Sequence, residues 1–146
     1  MENKTVVVGI DFGSSGTGFS YAYKDKEKDI SKIEIIHGSI YGEKVDNKVP
    51  SEIVLNDNNE TMEFGARCRQ HMMSENGLQN RHYFKEIKMN LYEKKTSIAV
   101  KNSGKVLPLK LVIQRVLESL KNLAFEKIKE NRPNITLSEI KWVVTV

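Results

Sequence analysis

Val6-Val7-Val8-Gly9-Ile10-Asp11-Phe12-Gly13-Ser14-Ser15-Gly16-Thr17-Gly18 decides the reading of this chain. β-Forming residues across 4–12 predict a strand, and the unbroken apolar run predicts burial on both of its faces. The run ends on an acid, and Gly or Ser fills five of the six positions 13–18. A carboxylate at the end of a buried strand needs a partner or solvent, because an isolated buried charge is costly. The following residues suggest a use for it. Glycines let successive backbone N–H groups converge with little steric hindrance. Consecutive N–H groups in a turn form an anion-binding nest, and Ser14, Ser15 and Thr17 add hydroxyl donors. An acid beside such a nest can orient a hydrated magnesium ion while the nest holds the phosphates that the ion bridges. The alternative is a glycine-rich hairpin turn that Asp11 merely caps. Spacing alone leaves both open.

Several phosphate-binding signatures are excluded. No Gly-Lys-Ser/Thr closes the loop, so it is not a Walker A element. The glycines run G-x-x-G-x-G and a strand is predicted to follow, so it is not the dinucleotide fingerprint. Asp11-Phe12-Gly13 matches a protein-kinase triplet, but it lies at the wrong end of the chain and the rest of that signature set is missing.

Working outward, 19–24 alternates aromatic with small residues and predicts a second strand, with 13–18 as the hairpin turn. A third strand is predicted over 33–40, completing an antiparallel meander. Residues 53–55 and 62–64 read as short partner strands around the turn Asn56-Asp57-Asn58-Asn59. Helices are predicted from Gly65 to about Met73 and from Arg81 to Tyr92, and an extended segment over 96–107 with a turn at Asn102-Ser103-Gly104. The longest helix is predicted over 108–131, with Pro108 at its first position. Its apolar residues recur every three or four positions, which marks a core face rather than a partner-binding helix. Asn131-Arg132-Pro133 stops it, and Lys141-Trp142-Val143-Val144-Thr145-Val146 reads as a last strand with Trp142 in the core. The chain stops inside that strand, so a cut or truncated reading frame is expected.

Composition narrows the function classes. The chain has 146 residues, one domain's worth, with 39% apolar and 29% charged residues, which reads as soluble and globular. Its 23 basic and 19 acidic side chains give +4, too mild and too dispersed for a nucleic-acid partner. The single cysteine, Cys68, forms no internal disulfide framework and fits a reducing, cytoplasmic setting as a bystander thiol. Neither a signal-peptide core nor a membrane span is legible. His37, His71 and His82 lack metal-ligand spacing.

Val8-Gly9-Ile10-Asp11-Phe12-Gly13-Ser14-Ser15 resembles the first phosphate motif of the actin-like ATPase superfamily, which includes actin, sugar kinases and the seventy-kilodalton heat-shock chaperones. Lys48-Val49-Pro50-Ser51-Glu52-Ile53-Val54-Leu55 resembles the chaperones' Pro-Ser stretch. Glu63-Phe64-Gly65-Ala66 resembles their entry to a helix, and 141–146 a strand that continues into a proline. With Tyr83-Phe84-Lys85-Glu86-Ile87-Lys88-Met89, the pattern resembles the divergent heat-shock 70 kDa protein 12-like branch. The resemblance implies an α/β, ribonuclease-H-like lobe with a mixed sheet that starts as a three-strand meander. Residues of about 1–40 and 108–146 would form its core, and about 41–107 an inserted subdomain. It implies ATP/ADP and Mg2+ as ligands. Asp11 would organise magnesium through water, and Gly13, Ser14, Ser15 and Gly16 would form the turn at the β- and γ-phosphates. Gly16 replaces the bulky residue common there, which is expected to loosen the turn. Lys88, in a Lys-x-x-Leu context with Leu91, would neutralise charge on the transferred phosphoryl group, with Lys85 as the alternative. Polypeptide clients or co-chaperones would bind through the parent protein. The family's second phosphate motif, adenosine motif and second catalytic acids lie beyond Val146, so little or no ATPase activity is expected of the isolated chain. Two other readings remain: a small-molecule, sugar-type kinase of the same superfamily, and a truncated module kept for interaction alone.

Overall fold

The computed structural model describes residues 5–24, 36–37, 48–73 and 80–145. The chain is mixed α/β and divides into two compact units.

The first unit comprises residues 1–12, 18–48 and 120–146. In it, β1 (Val6–Asp11) pairs antiparallel with β2 (Gly16–Tyr23), and β2 with β3 (Ile36–His37). The last strand, labelled β10 (Ile140–Thr145), runs parallel to β1, so the sheet is mixed, in the order β10-β1-β2-β3. The meander expected from the sequence is therefore present in its described parts, although most of 33–40 lies outside the described residues. Burial of β1 on both faces is not what forms. Val6, Val8 and Ile10 are buried, whereas Val7 is 40% exposed and Asp11 is half-buried. Side chains alternate across a strand, so the apolar run covers one face only, and Asp11 belongs to the other.

The second unit comprises residues 13–17 and 49–119. β4 (Val49–Pro50) pairs with the start of β2, Gly16 to Pro50 and Thr17 to Val49. β2 thus begins at Gly16, three residues before the predicted 19–24 strand, because residues 16 and 17 find a partner that no local pattern announces. β5 (Ile53–Leu55), buried throughout, lies between β6 (Thr61–Phe64) and β7 (His82–Phe84), both antiparallel to it. α1 spans Arg67–Met73. The helix predicted over 81–92 is corrected: its first part is β7, whose His82 and Phe84 are buried opposite Leu55 and Ile53. Glu86 then adopts a left-handed conformation (φ 56°), and α2 runs only over Ile87–Tyr92. Sheet pairing with β5 overrides local helix propensity here. β8 (Ser97–Ala99) and β9 (Val106–Pro108) form a hairpin around the predicted turn.

α3 (Leu109–Asn131) starts one residue after the expected position, since Pro108 ends β9. Leu109, Val112 and Val116 are buried in the second unit; Leu120, Ala124 and Ile128 are buried in the first. In the first unit the helix end meets the sheet through Lys121 over the Trp142 ring (5.9 Å) and Arg132 over Tyr23 (4.1 Å). Trp142 is half-buried rather than fully in the core. A short 3-10 turn, Leu137–Glu139, leads into β10 with Thr136 and Glu139 forming a capping box.

Candidate functional site

The register of the first sheet places Gly9 opposite Ser20 and Val143, and Asp11 opposite Gly18 and Thr145. These residues share the face that β1 leaves open. Gly9, Gly18 and Ser20 carry little or no side chain, so the sheet is hollow there. The result is a cavity of about 360 Å³ lined by Asp11, Lys48 and Thr145 over a floor of Gly9, Gly18 and Ser20. Thr145 closes one side: its hydroxyl donates to the Ile10 carbonyl (3.2 Å) and its carbonyl accepts the Phe12 amide (3.1 Å).

Asp11 stands in this cavity with its side chain 47% exposed, and pairs with the Lys48 ammonium at 2.5 Å. The charge expected to need a partner has one, and water as well. In the sequence Lys48 stands only as the start of the Pro-Ser stretch. No local signal points to the pair, which joins residues far apart in the chain.

In the second unit, the turn after β1 is held closed by the Pro-Ser stretch. The Ser51 hydroxyl donates to the Gly13 carbonyl (2.8 Å), and the Ser51 amide donates to the Ser15 carbonyl (3.3 Å). Ser51 is 2% exposed. A Cβ at Gly13 would lie 1.9 Å from the Gly16 carbonyl oxygen, so only glycine fits at that position. Ser14 and Ser15 are exposed at the tip, while Gly16 is engaged in β2. Both bonds from Ser51 engage carbonyls of the turn rather than its amides, the groups that an anion would use.

Glu52, next to Ser51, is buried, and accepts from the Tyr83 hydroxyl (2.6 Å) and from Arg69 (3.0 Å). Burial, reinforced by the bond to Glu52, pushes the Tyr83 hydroxyl up to about 12. This network ties the strand that follows Ser51 to α1 and β7; it is structural, and sequence reading missed it. Lys88 is buried in α2, and its ammonium lies 5.7 Å from the centre of the Tyr92 ring. Lys85 is half-buried. Cys68 is wholly buried, and desolvation first, then Glu52 and Glu63, push its thiol up to about 12, which makes it inert. His82 is buried, with Asp57 at 2.7 Å and Lys105 at 3.4 Å from its Nε2.

Among the described residues, no group of three or more His, Cys, Asp or Glu could hold a metal ion. Magnesium does not require one, because it commonly binds through one or two carboxylates, keeps several waters and takes phosphate oxygens. A half-exposed carboxylate in a roomy cavity fits that habit. Among the same residues, no helix is long and apolar enough to cross a membrane.

No protein-family model matches the chain. It is similar to heat shock 70 kDa protein 12B of Homo sapiens, 25% identical over 150 aligned residues, which cover 97% of this chain and 22% of that protein. The chain therefore spans less than a quarter of that relative's length. At this identity the similarity supports a relationship to the heat-shock 70 kDa-type, actin-like proteins only weakly.

Proposed function

We propose that the chain is the nucleotide-phosphate end of an actin-like, ribonuclease-H-type ATP-binding lobe of the heat-shock 70 kDa kind. The observation that carries this reading is a carboxylate at a strand end, in an open cavity, followed in sequence by a turn that admits only glycine at position 13. The similarity to heat shock 70 kDa protein 12B supports it. In this reading residues of about 1–40 and 108–146 are the core of the lobe and about 41–107 the inserted subdomain. Asp11 orients the waters of a magnesium ion, and the amides and hydroxyls of Gly13, Ser14, Ser15 and Gly16 hold phosphate oxygens. Magnesium, when bound, supplies charge neutralisation at those oxygens. Lys88 would add positive charge near the transferred phosphoryl group. The full-length protein would hydrolyse ATP slowly and act on polypeptides or with co-chaperones.

The test is magnesium-dependent phosphate release by the full-length protein. Asp11→Ala is expected to abolish it, and near-normal turnover would overturn the role given to that residue. Release without any added acceptor separates this reading from a sugar-type kinase.

A further inference from the structure

We infer that Lys48 is a placeholder cation: it neutralises Asp11 while the site is empty and binds a phosphate oxygen once a divalent cation takes the carboxylate. This rests on the nucleotide reading above and specifies how the same site admits its ligand.

The argument begins with charge balance. The cavity wall carries one carboxylate and one ammonium, 2.5 Å apart. Both are about half-exposed, at 47% and 56%. A surface pair of this kind adds only about 0–1 kcal/mol to stability, so it breaks readily when a better partner arrives. A divalent cation is a better partner for Asp11. With Asp11 engaged by such a cation, the Lys48 ammonium, with three donors in the same cavity wall, would be free to hold a phosphate oxygen. Lysine suits that second role, since it binds phosphate as a compact point charge on a flexible stem.

The arrangement also selects the form of the nucleotide. With Lys48 tied to Asp11, the cavity offers no net positive charge to an anion. A metal-free nucleoside diphosphate meets an engaged lysine and a repelling carboxylate. The magnesium complex carries the cation that satisfies Asp11, and so frees Lys48 for its own phosphate. Metal and phosphate binding are thereby coupled through one side chain.

The experiment is calorimetric titration of the full-length protein with ADP, once with excess Mg2+ and once with EDTA. Lys48→Met is expected to weaken MgADP binding about tenfold, the low end for a hydrogen bond to a charged group. Lys48→Arg should restore most of it. Asp11→Asn should weaken MgADP binding and strengthen metal-free ADP binding, because Lys48 is released. That gain should shrink severalfold in the Asp11→Asn, Lys48→Met double variant. MgADP affinity indifferent to Lys48→Met, or a gain from Asp11→Asn that is just as large without Lys48, would overturn the inference and leave the nucleotide reading standing. A wild-type protein that binds no MgADP at all would overturn the nucleotide reading itself, and this inference with it. Lys48 is exposed, so folding of its variants is expected to be normal, and a thermal melt checks it.

Discussion

Replacing Gly13 by alanine tests the turn directly. The added Cβ would lie 1.9 Å from the Gly16 carbonyl oxygen and 3.1 Å from its carbonyl carbon. Cβ atoms essentially never approach closer than 3.0 Å, and the obstacle is backbone, which cannot rotate away. The turn must therefore open by more than an ångström. Opening it pulls the Gly13 and Ser15 carbonyls from Ser51, whose bonds to them are 2.8 and 3.3 Å long. Two hydrogen bonds at ~0.5–1.5 kcal/mol each give a loss of about 1–3 kcal/mol. For a chain of this size each kcal/mol moves Tm by roughly 2–4 °C, so a fall of about 4–8 °C is expected near the middle of the range. Differential scanning calorimetry measures it. Gly9→Ala is the control in the same hairpin: its Cβ would meet the Ser20 hydroxyl at an ordinary 3.7 Å, and Tm should hardly move. If Gly13→Ala melts within a degree or so of wild type, the close approach of Gly13 to the Gly16 carbonyl does not exist. Equal falls for both glycines would show that the loss is not specific to the turn, since the entropy of Gly→Ala by itself favours the folded state.

Two further outcomes follow from the buried network of the second unit. Cys68, wholly buried and pushed up to about 12, should resist a thiol reagent at pH 8 in the native protein and react at once in denaturant; fast native labelling would contradict its burial. Tyr83 and Cys68 both have folded pKa values raised above their ordinary ones, from 10.0 and 9.0 to about 12. The folded state then holds protons that the unfolded state has lost. Their contribution to stability is complete below about pH 9, and declines as pH rises toward about 12. Urea midpoints measured from pH 8 to 11 should fall across that window, less steeply in Tyr83→Phe; a flat profile would refute the assignment.

What was legible in the sequence was local. The composition of 13–18 announces a turn, which forms at Gly13 to Ser15 while Gly16 to Gly18 join β2, and α3 announces itself by the spacing of its apolar residues. What was not legible depends on partners distant in the chain. Ser51 reaches Gly13 across 38 positions, and Lys48 reaches Asp11 across a similar span. Neither contact leaves a periodic trace. The segment from Arg81 to Tyr92 misleads for a related reason. Tyr83-Phe84-Lys85-Glu86-Ile87-Lys88 is compatible with a helix by propensity, and only the exchange of backbone bonds with Ile53, Val54 and Leu55 makes its first part a strand. A sequence pattern also could not say which face of β1 is open. The valine run hides the alternation that the fold imposes on it.

That alternation explains why the run ends in an acid. Val6, Val8 and Ile10 supply the buried face, so β1 keeps its packing whatever stands at position 11. On the other face, Gly9, Gly18 and Ser20 give up side-chain packing that β-branched residues would provide at these positions. The Asp11–Lys48 pair adds little in return, because a half-exposed ion pair contributes only about 0–1 kcal/mol. A face built for stability alone would be filled; this one is hollow, polar at its rim and charged. Asn at position 11 should therefore leave the fold nearly as stable as before. In the proposed reading its loss is felt by the ligand of the hollow instead, so binding, and not melting temperature, is the measurement that decides what Asp11 is for.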